Sequence, residues 1–280
     1  MQNFFGYYLK CQNEEETVAF IVGRHKKDGE VIGFLQIVTD EGTWKTEFPA
    51  DCFEEKKNNI YLANNRFGKN GIRVNIVSDE LRVKGKLDFS NFTPIKYDIM
   101  GPFALVPFME CRHYVMSMQH TVNGMLYVND RRYVFEDAFG YWEGDGGNSF
   151  PKEYLWTQTA FDGGSLMLSV AEIPAGPANF TGIIGIIMYE GKEYRLATYS
   201  GAKIKELSNR KVHIVQGNLS FEAKLMQADA KELPAPVDGE MQRTIHESLE
   251  CVAAYRFKID GETVIALKTN RASFEYEYQR

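Results

Sequence analysis

At 280 residues the chain can hold one large domain or two of about 140, and its 44% apolar content is ample for a packed core. A net charge of −6, with acids and bases well mixed, argues against nucleic acid or an anionic membrane as partner. Cys11, Cys52, Cys111 and Cys251 show no CxxC spacing, so neither a structural zinc site nor a disulfide framework is expected. The opening MQNFFGYYLKCQNEEE has no basic region ahead of a long apolar run, and no stretch reaches the ~18 apolar residues of a spanning helix. No signal peptide, no integral membrane segment and a reduced, cytoplasmic location are the expectations.

Taken in order, short alternating runs broken by turn residues dominate, which predicts an all-β protein. Thr17–Gly23, Val31–Thr39 and Gly42–Phe48 read as strands around Lys27-Asp28-Gly29 and Asp40-Glu41-Gly42. The acidic stretch Phe53–Lys57 reads as one helical turn. Gly71–Val77 and Leu81–Phe89 flank a turn at Ser78-Asp79-Glu80, and Tyr127–Val128 and Tyr133–Glu136 flank one at Asn129-Asp130. Near the end, Val252–Ile259 and Glu262–Leu267 flank Asp260-Gly261, a strong two-residue hairpin signal.

The second half echoes the first. Tyr8-Leu9-Lys10-Cys11-Gln12 returns as Tyr154-Leu155-Trp156-Thr157-Gln158, and Ala19-Phe20-Ile21-Val22 as Met167-Leu168-Ser169-Val170. Gly33-Phe34-Leu35 returns as Gly182-Ile183-Ile184, and Leu81–Leu87 as Leu219–Leu225. A twofold repeat predicts two similar β-barrel or sandwich halves, residues 1–150 and 151–280, with a boundary near Ser149–Pro151 where a ligand site is expected.

Two stretches carry candidate chemistry. Met109–Thr121, read as a straight strand, places Glu110, Arg112, Tyr114, Met116, Met118 and His120 on one face and Cys111, His113, Val115, Ser117 and Gln119 on the other. Neither face is cleanly apolar, as for a barrel wall facing a ligand; a Glu110–Arg112 ion pair is the plainer alternative. Cys111 and His113 could ligate a metal, but no third ligand has suitable spacing, so no metal is expected. The run GYWEGDGGNSFPKEYLWTQ, Gly140 to Gln158, reads as a wide glycine loop carrying Glu143 and Asp145, then a strand with Tyr154, Trp156 and Gln158 on one face. Glu143 and Asp145 are candidate general acids in aromatic surroundings, the competing role being a solvated turn. Trp142, Phe150, Tyr154 and Trp156 are candidates for an apolar ligand wall, and Gln158 for a buried amide facing a ligand. Gly144-Asp145-Gly146-Gly147 is neither a dinucleotide fingerprint nor an EF-hand, since a strand follows where a helix should and Gly147 replaces an acidic ligand.

That run, from the acidic glycine loop through Phe150-Pro151 to Gln158, resembles the signature of the tocopherol cyclase-like family. Tyr97-Asp98-Ile99-Met100-Gly101-Pro102, Pro107-Phe108-Met109-Glu110-Cys111-Arg112-His113 and Gly33-Phe34-Leu35-Gln36 are similar to its bacterial branch, and the likeness spans most of the chain. Where plant-type members carry Trp-Gly inside the loop this chain has Gly146-Gly147, a departure that touches the substrate rather than the fold. The resemblance implies two lipocalin-like halves and cofactor-independent acid chemistry on an amphipathic, isoprenoid-like small molecule. An acid, Glu143 or Asp145 with His113 or His120 as alternative, would protonate an alkene. Trp142 and Trp156 would shield the cation, Gln158 would orient the oxygen that closes the ring, and Glu110 and Arg112 would line the site. The competing expectation is a carrier of hydrophobic ligands without catalysis, and a third is a structural module with a filled lumen.

Overall fold

The computed structural model describes residues 3–106, 109–175 and 178–278; Pro107-Phe108 of the motif above lie outside them. Among the described residues there is no α-helix, and no helix long and apolar enough to cross a membrane. Two compact units are present: Met1–Asp98 with Glu110–Phe150 and Pro234–Thr244, and Ile99–Met109 with Pro151–Leu233 and Ile245–Arg280.

The first unit opens with β1 (Phe4–Gln12), β2 (Thr17–Lys27), β3 (Glu30–Thr39) and β4 (Thr43–Phe48). A single 3-10 turn, Ala50–Cys52, leads to β5 (Phe53–Lys56), β6 (Asn59–Leu62), β7 (Asn65–Gly68), β8 (Gly71–Val77) and β9 (Arg82–Ser90). The long strands β10 (Cys111–Val128) and β11 (Arg131–Gly147) follow. Antiparallel pairing gives the order β4-β3-β2-β1-β11-β10-β9-β8-β7-β6-β5.

The second unit is built from β12 (Tyr154–Phe161), β13 (Gly164–Ala175), β14 (Ala178–Tyr189), β15 (Lys192–Ala197), the 3-10 turn Thr198–Ser200, β16 (Lys203–Ser208), β17 (Lys211–Gln216) and β18 (Leu219–Gln227). It is completed from β19 (Lys231–Val237), β20 (Glu240–Ile259) and β21 (Glu262–Tyr276). Its order is β15-β14-β13-β12-β21-β20-β18-β17-β16, so the second meander repeats the first. The turn joining β19 to β20 belongs with the first unit, where Lys26 N–H donates to the Gly239 carbonyl at 2.8 Å.

Alternation puts every second residue inside. The first core takes Phe5, Tyr7, Leu9 and Cys11 from β1 and Phe20 and Val22 from β2; the second takes Leu155 from β12 and Leu168 and Val170 from β13. These echoes keep their inward faces. The echo in the third strand is off by one: Leu35 lies opposite Val22 and Ile183 opposite Val170, so Leu35 corresponds to Ile183 rather than to Ile184.

Two local expectations are overturned. Phe53–Lys56 forms strand β5 rather than part of a helical turn, and Lys57 and Asn58, with φ of 50° and 59°, close a tight hairpin onto β6. The supposed acidic loop is strand as far as Gly147, hydrogen-bonded to β1 on one side and β10 on the other. Its glycines serve close approach instead of turning: a Cβ at Gly144 would lie 2.6 Å from the Gly6 carbonyl oxygen, and one at Gly147 2.0 Å from that of Glu110. The Asp260-Gly261 hairpin forms as expected, with Ile259 opposite Glu262.

Candidate active site

The regular pairing of β10 and β11 sets His113 directly across from Asp145, with Glu143 two residues on along the same face. That face is opposite the one that sends Trp142 into the first core. His113 Nδ1 lies 2.9 Å from Asp145 Oδ1, and Nε2 lies 3.1 Å from Glu143 Oε2 as an ion-pair contact off the hydrogen-bond direction. The imidazole therefore stands between two carboxylates. Tyr141, also on this face, donates its hydroxyl to Glu143, and the Cys111 thiol donates to Asp145 at 3.5 Å. His113 and Glu143 are buried, with 8% and 4% of their surface exposed.

Burial disfavours charge on His113, but Glu143 and then Asp145 outweigh it and hold the ring's pKa well above the ordinary histidine range. Tyr141 is pushed well up, first by burial and then by Glu143; Cys111 moves the same way, by burial and then Asp145. The result is a chain of groups, phenol to carboxylate to imidazolium to carboxylate to thiol, in which a proton is held ready and acceptors adjoin it. Ligand atoms of His113, Glu143 and Asp145 lie within 4.8 Å of one another, which is close enough for a cation. As arranged, however, the two ring nitrogens point at different carboxylates, and a single ion could not take all three without turning the ring.

Against these coordinates, solved structures give a consistent match. CghA, in a crystal structure with Sch210972, aligns over 98% of this chain and 88% of its own at a TM-score of 0.62 and 10% identity. Kievitone hydratase from Nectria haematococca aligns over 98% and 89% with a TM-score of 0.55 and 10% identity. An AttH-type protein from Nitrosomonas europaea aligns over 99% and 93% with a TM-score of 0.57, again at 10% identity. The fold is lipocalin-like. At that identity the likeness carries the fold alone. No family model matches the chain, and no curated protein sequence does either.

The remaining candidates scatter. Arg112 pairs with Asp98 at 2.6 Å and sits over the Tyr114 ring, so the alternative of a Glu110–Arg112 pair gives way to one with Asp98. The Glu110 carbonyl accepts from the N–H groups of Asn148 and Ser149. Trp142 packs edge-on against Tyr7, 5.3 Å between centroids, and so is turned away from Glu143. Phe150 packs on Phe4 at 5.5 Å. In the second unit Tyr154, Trp156 and Gln158 are buried together on the face of β12 that looks away from its core, and Tyr154 donates its hydroxyl to Glu275. Thr157, on the inner face, bonds Tyr255 at 2.6 Å and the Ser273 carbonyl at 2.9 Å.

His120 is separated from the acid cluster. Two bulges in β10, between Val115 and Ser117 and between Ser117 and His120, bring it opposite Gly140, where it packs against Phe89 and Phe92 at 4.5 and 5.1 Å. Burial pushes its pKa down to about 3. The unfolded chain takes up this proton near pH ~6.5, the folded chain only near 3, so stability is fullest above ~6.5 and falls as pH drops through that window. The slope reaches ~1.4 kcal/mol per pH unit from this one group. Urea unfolding at pH 6.5 and 4.5 should show a smaller acid loss for His120→Phe than for the native chain; equal losses would remove His120 as the cause.

Tyr141 is not singled out by the sequence, and Cys111 is weighed there only as a metal ligand beside His113. Tyr141 stands two residues before Glu143, and the alternation Tyr141-Glu143-Asp145 exposes it once the run is recognised as strand.

Proposed function

We propose that the chain is a redox-neutral acid–base catalyst acting on an amphipathic, isoprenoid-like small molecule, with His113 as proton donor and Glu143 and Asp145 as the groups that hold and receive protons. The observation that carries it is the buried imidazole between two carboxylates. The proton adds to the less substituted carbon of a trisubstituted alkene, and the π pair forms that C–H bond, leaving a tertiary cation. An oxygen, the substrate's own hydroxyl or a water, gives a lone pair to the cation, and its proton passes through a carboxylate back to His113. Nothing is oxidised or reduced, and the donor is restored. Ring closure and hydration differ only in which oxygen attacks, which is in keeping with a hydratase among the proteins that share the fold. The donor and its carboxylates fall within residues 1–150, the proposed N-terminal domain. In the proposed C-terminal domain, residues 151–280, the buried face of Trp156 and Gln158 is a candidate ligand-contacting surface of its own unit.

The test is incubation with 2-prenylphenol in deuterated buffer. A cyclised product carrying one carbon-bound deuterium is expected, and a tertiary alcohol with the same label would assign hydration instead. Saturable binding with neither product favours the second reading, a carrier of hydrophobic ligands. That reading draws on the dense aromatic packing of the fold, including the Phe4–Phe150 and Tyr7–Trp142 pairs.

A further inference from the structure

The core of the first unit holds polar atoms that the protein itself leaves unsatisfied. His120 is 2% exposed and Trp142 3%, yet neither ring nitrogen of His120 nor Nε1 of Trp142 has a hydrogen-bond partner. A buried polar group without a partner forfeits its hydration with nothing in return, and three such atoms in one place are not expected of a sealed core. They are neighbours: His120 lies opposite Gly140, Trp142 is two residues further along the same strand face, and the Phe92 ring reaches both, at 5.1 and 6.1 Å.

The surrounding backbone is arranged to hold them there. The bulges before His120 turn β10 locally and leave its edge open to the chain at Thr93, whose N–H donates to the Gln119 carbonyl at 2.9 Å while its carbonyl accepts from Met118. Thr93 thereby anchors Phe92 over the pair. Gly140 leaves the space that the imidazole fills; a Cβ there would sit 2.1 Å from its Nε2. Phe89 and Phe92, the rings packed on His120, are themselves only partly buried.

We infer that this inner face of the first unit is a binding site for a small hydroxylated aromatic molecule, distinct from the acid cluster on the other face of β11. A neutral imidazole offers one donor and one acceptor, and the indole offers a donor. A phenolic hydroxyl accepts from the indole N–H and donates to the bare imidazole nitrogen, while its ring stacks among Phe89, Phe92 and Tyr7. An apolar ring without the hydroxyl would leave all three atoms as they are.

The experiment is titration of the full chain with phenol and, in parallel, with toluene, following the indole N–H and imidazole ring signals by NMR. Trp142→Phe identifies the indole resonance. Saturable movement of both sets of signals by phenol is expected, with toluene binding about tenfold weaker, the equivalent of one hydrogen bond. His120→Phe should remove that preference, and Trp142→Phe should reduce it, so the loss of either variant to misfolding leaves the other. Equal binding of toluene and phenol, or no movement of either ring by phenol, overturns the site and leaves water as its occupant. Because neither readout involves turnover, the result stands apart from the fate of the acid–base reading.

Discussion

Replacing His113 with glutamine should lower turnover of the alkene substrate by about 10²–10⁴-fold, the range for loss of a general acid, with ligand binding largely kept. Glutamine preserves polarity and approximate reach but carries no transferable proton. The pH dependence separates this from a merely structural loss. In the proposed mechanism His113 is protonated in the active form, and Glu143 and Asp145, outweighing burial, raise its pKa well above the ordinary range. Activity should therefore hold through neutrality and fall only as pH rises through that raised value. Glu143→Gln removes one of the two supporting charges and leaves Asp145, 2.9 Å from Nδ1, as the other. The alkaline fall should then move to lower pH while turnover on its acid side persists. A profile that stays where it was in Glu143→Gln would mean that the titrating group is not His113. The second variant also guards against collapse of the first, since His113→Gln leaves the buried Glu143 and the half-buried Asp145 without their cation.

Most of the fold could be read because strand alternation and tight-turn chemistry are local. Asp260-Gly261 takes φ of 53° and 83° because few other residue pairs tolerate both, and that rule is visible in two letters. The inward sets Leu9, Phe20 and Val22 and their echoes Leu155, Leu168 and Val170 follow from period two. The candidate site was harder for one physical reason. Glycine is ambiguous: it permits turns, and it also permits a neighbouring backbone or ring to come close. Between Gly140 and Gly147 the second use holds, so Glu143 and Asp145 became strand residues with Tyr141 beside them rather than loop residues beside Trp142. The bulges of β10 are equally silent in sequence, since an extra residue in a strand changes no composition. That is why Thr93, which docks on this stretch, gave no signal.

Gly147→Ala should destabilise the protein severely, by about 3 kcal/mol or more, at the upper end of what overpacking costs. Gly147 closes β11 between two partners, opposite Phe4 on β1 and Cys111 on β10. An added Cβ would lie 2.0 Å from the Glu110 carbonyl oxygen, 2.9 Å from its carbon and 3.1 Å from Cys111 Cα. All three are backbone atoms, so no side chain can swing aside. The Glu110 oxygen is already committed, accepting from Asn148 N–H at 2.7 Å, and shifting it would loosen the start of β10 that carries Cys111 and His113. Gly42→Ala is the matched control: its Cβ would meet only the Trp44 ring, at 3.4 Å, and should change stability by no more than ~0.5 kcal/mol. Urea unfolding of the two variants makes the comparison. If Gly147→Ala is as stable as the control, β11 does not continue to Gly147, and the acid residues return to a loop. If it is destabilised but folded, the displaced start of β10 should also weaken the hold of Asp145 on His113, and the alkaline fall in activity should shift to lower pH.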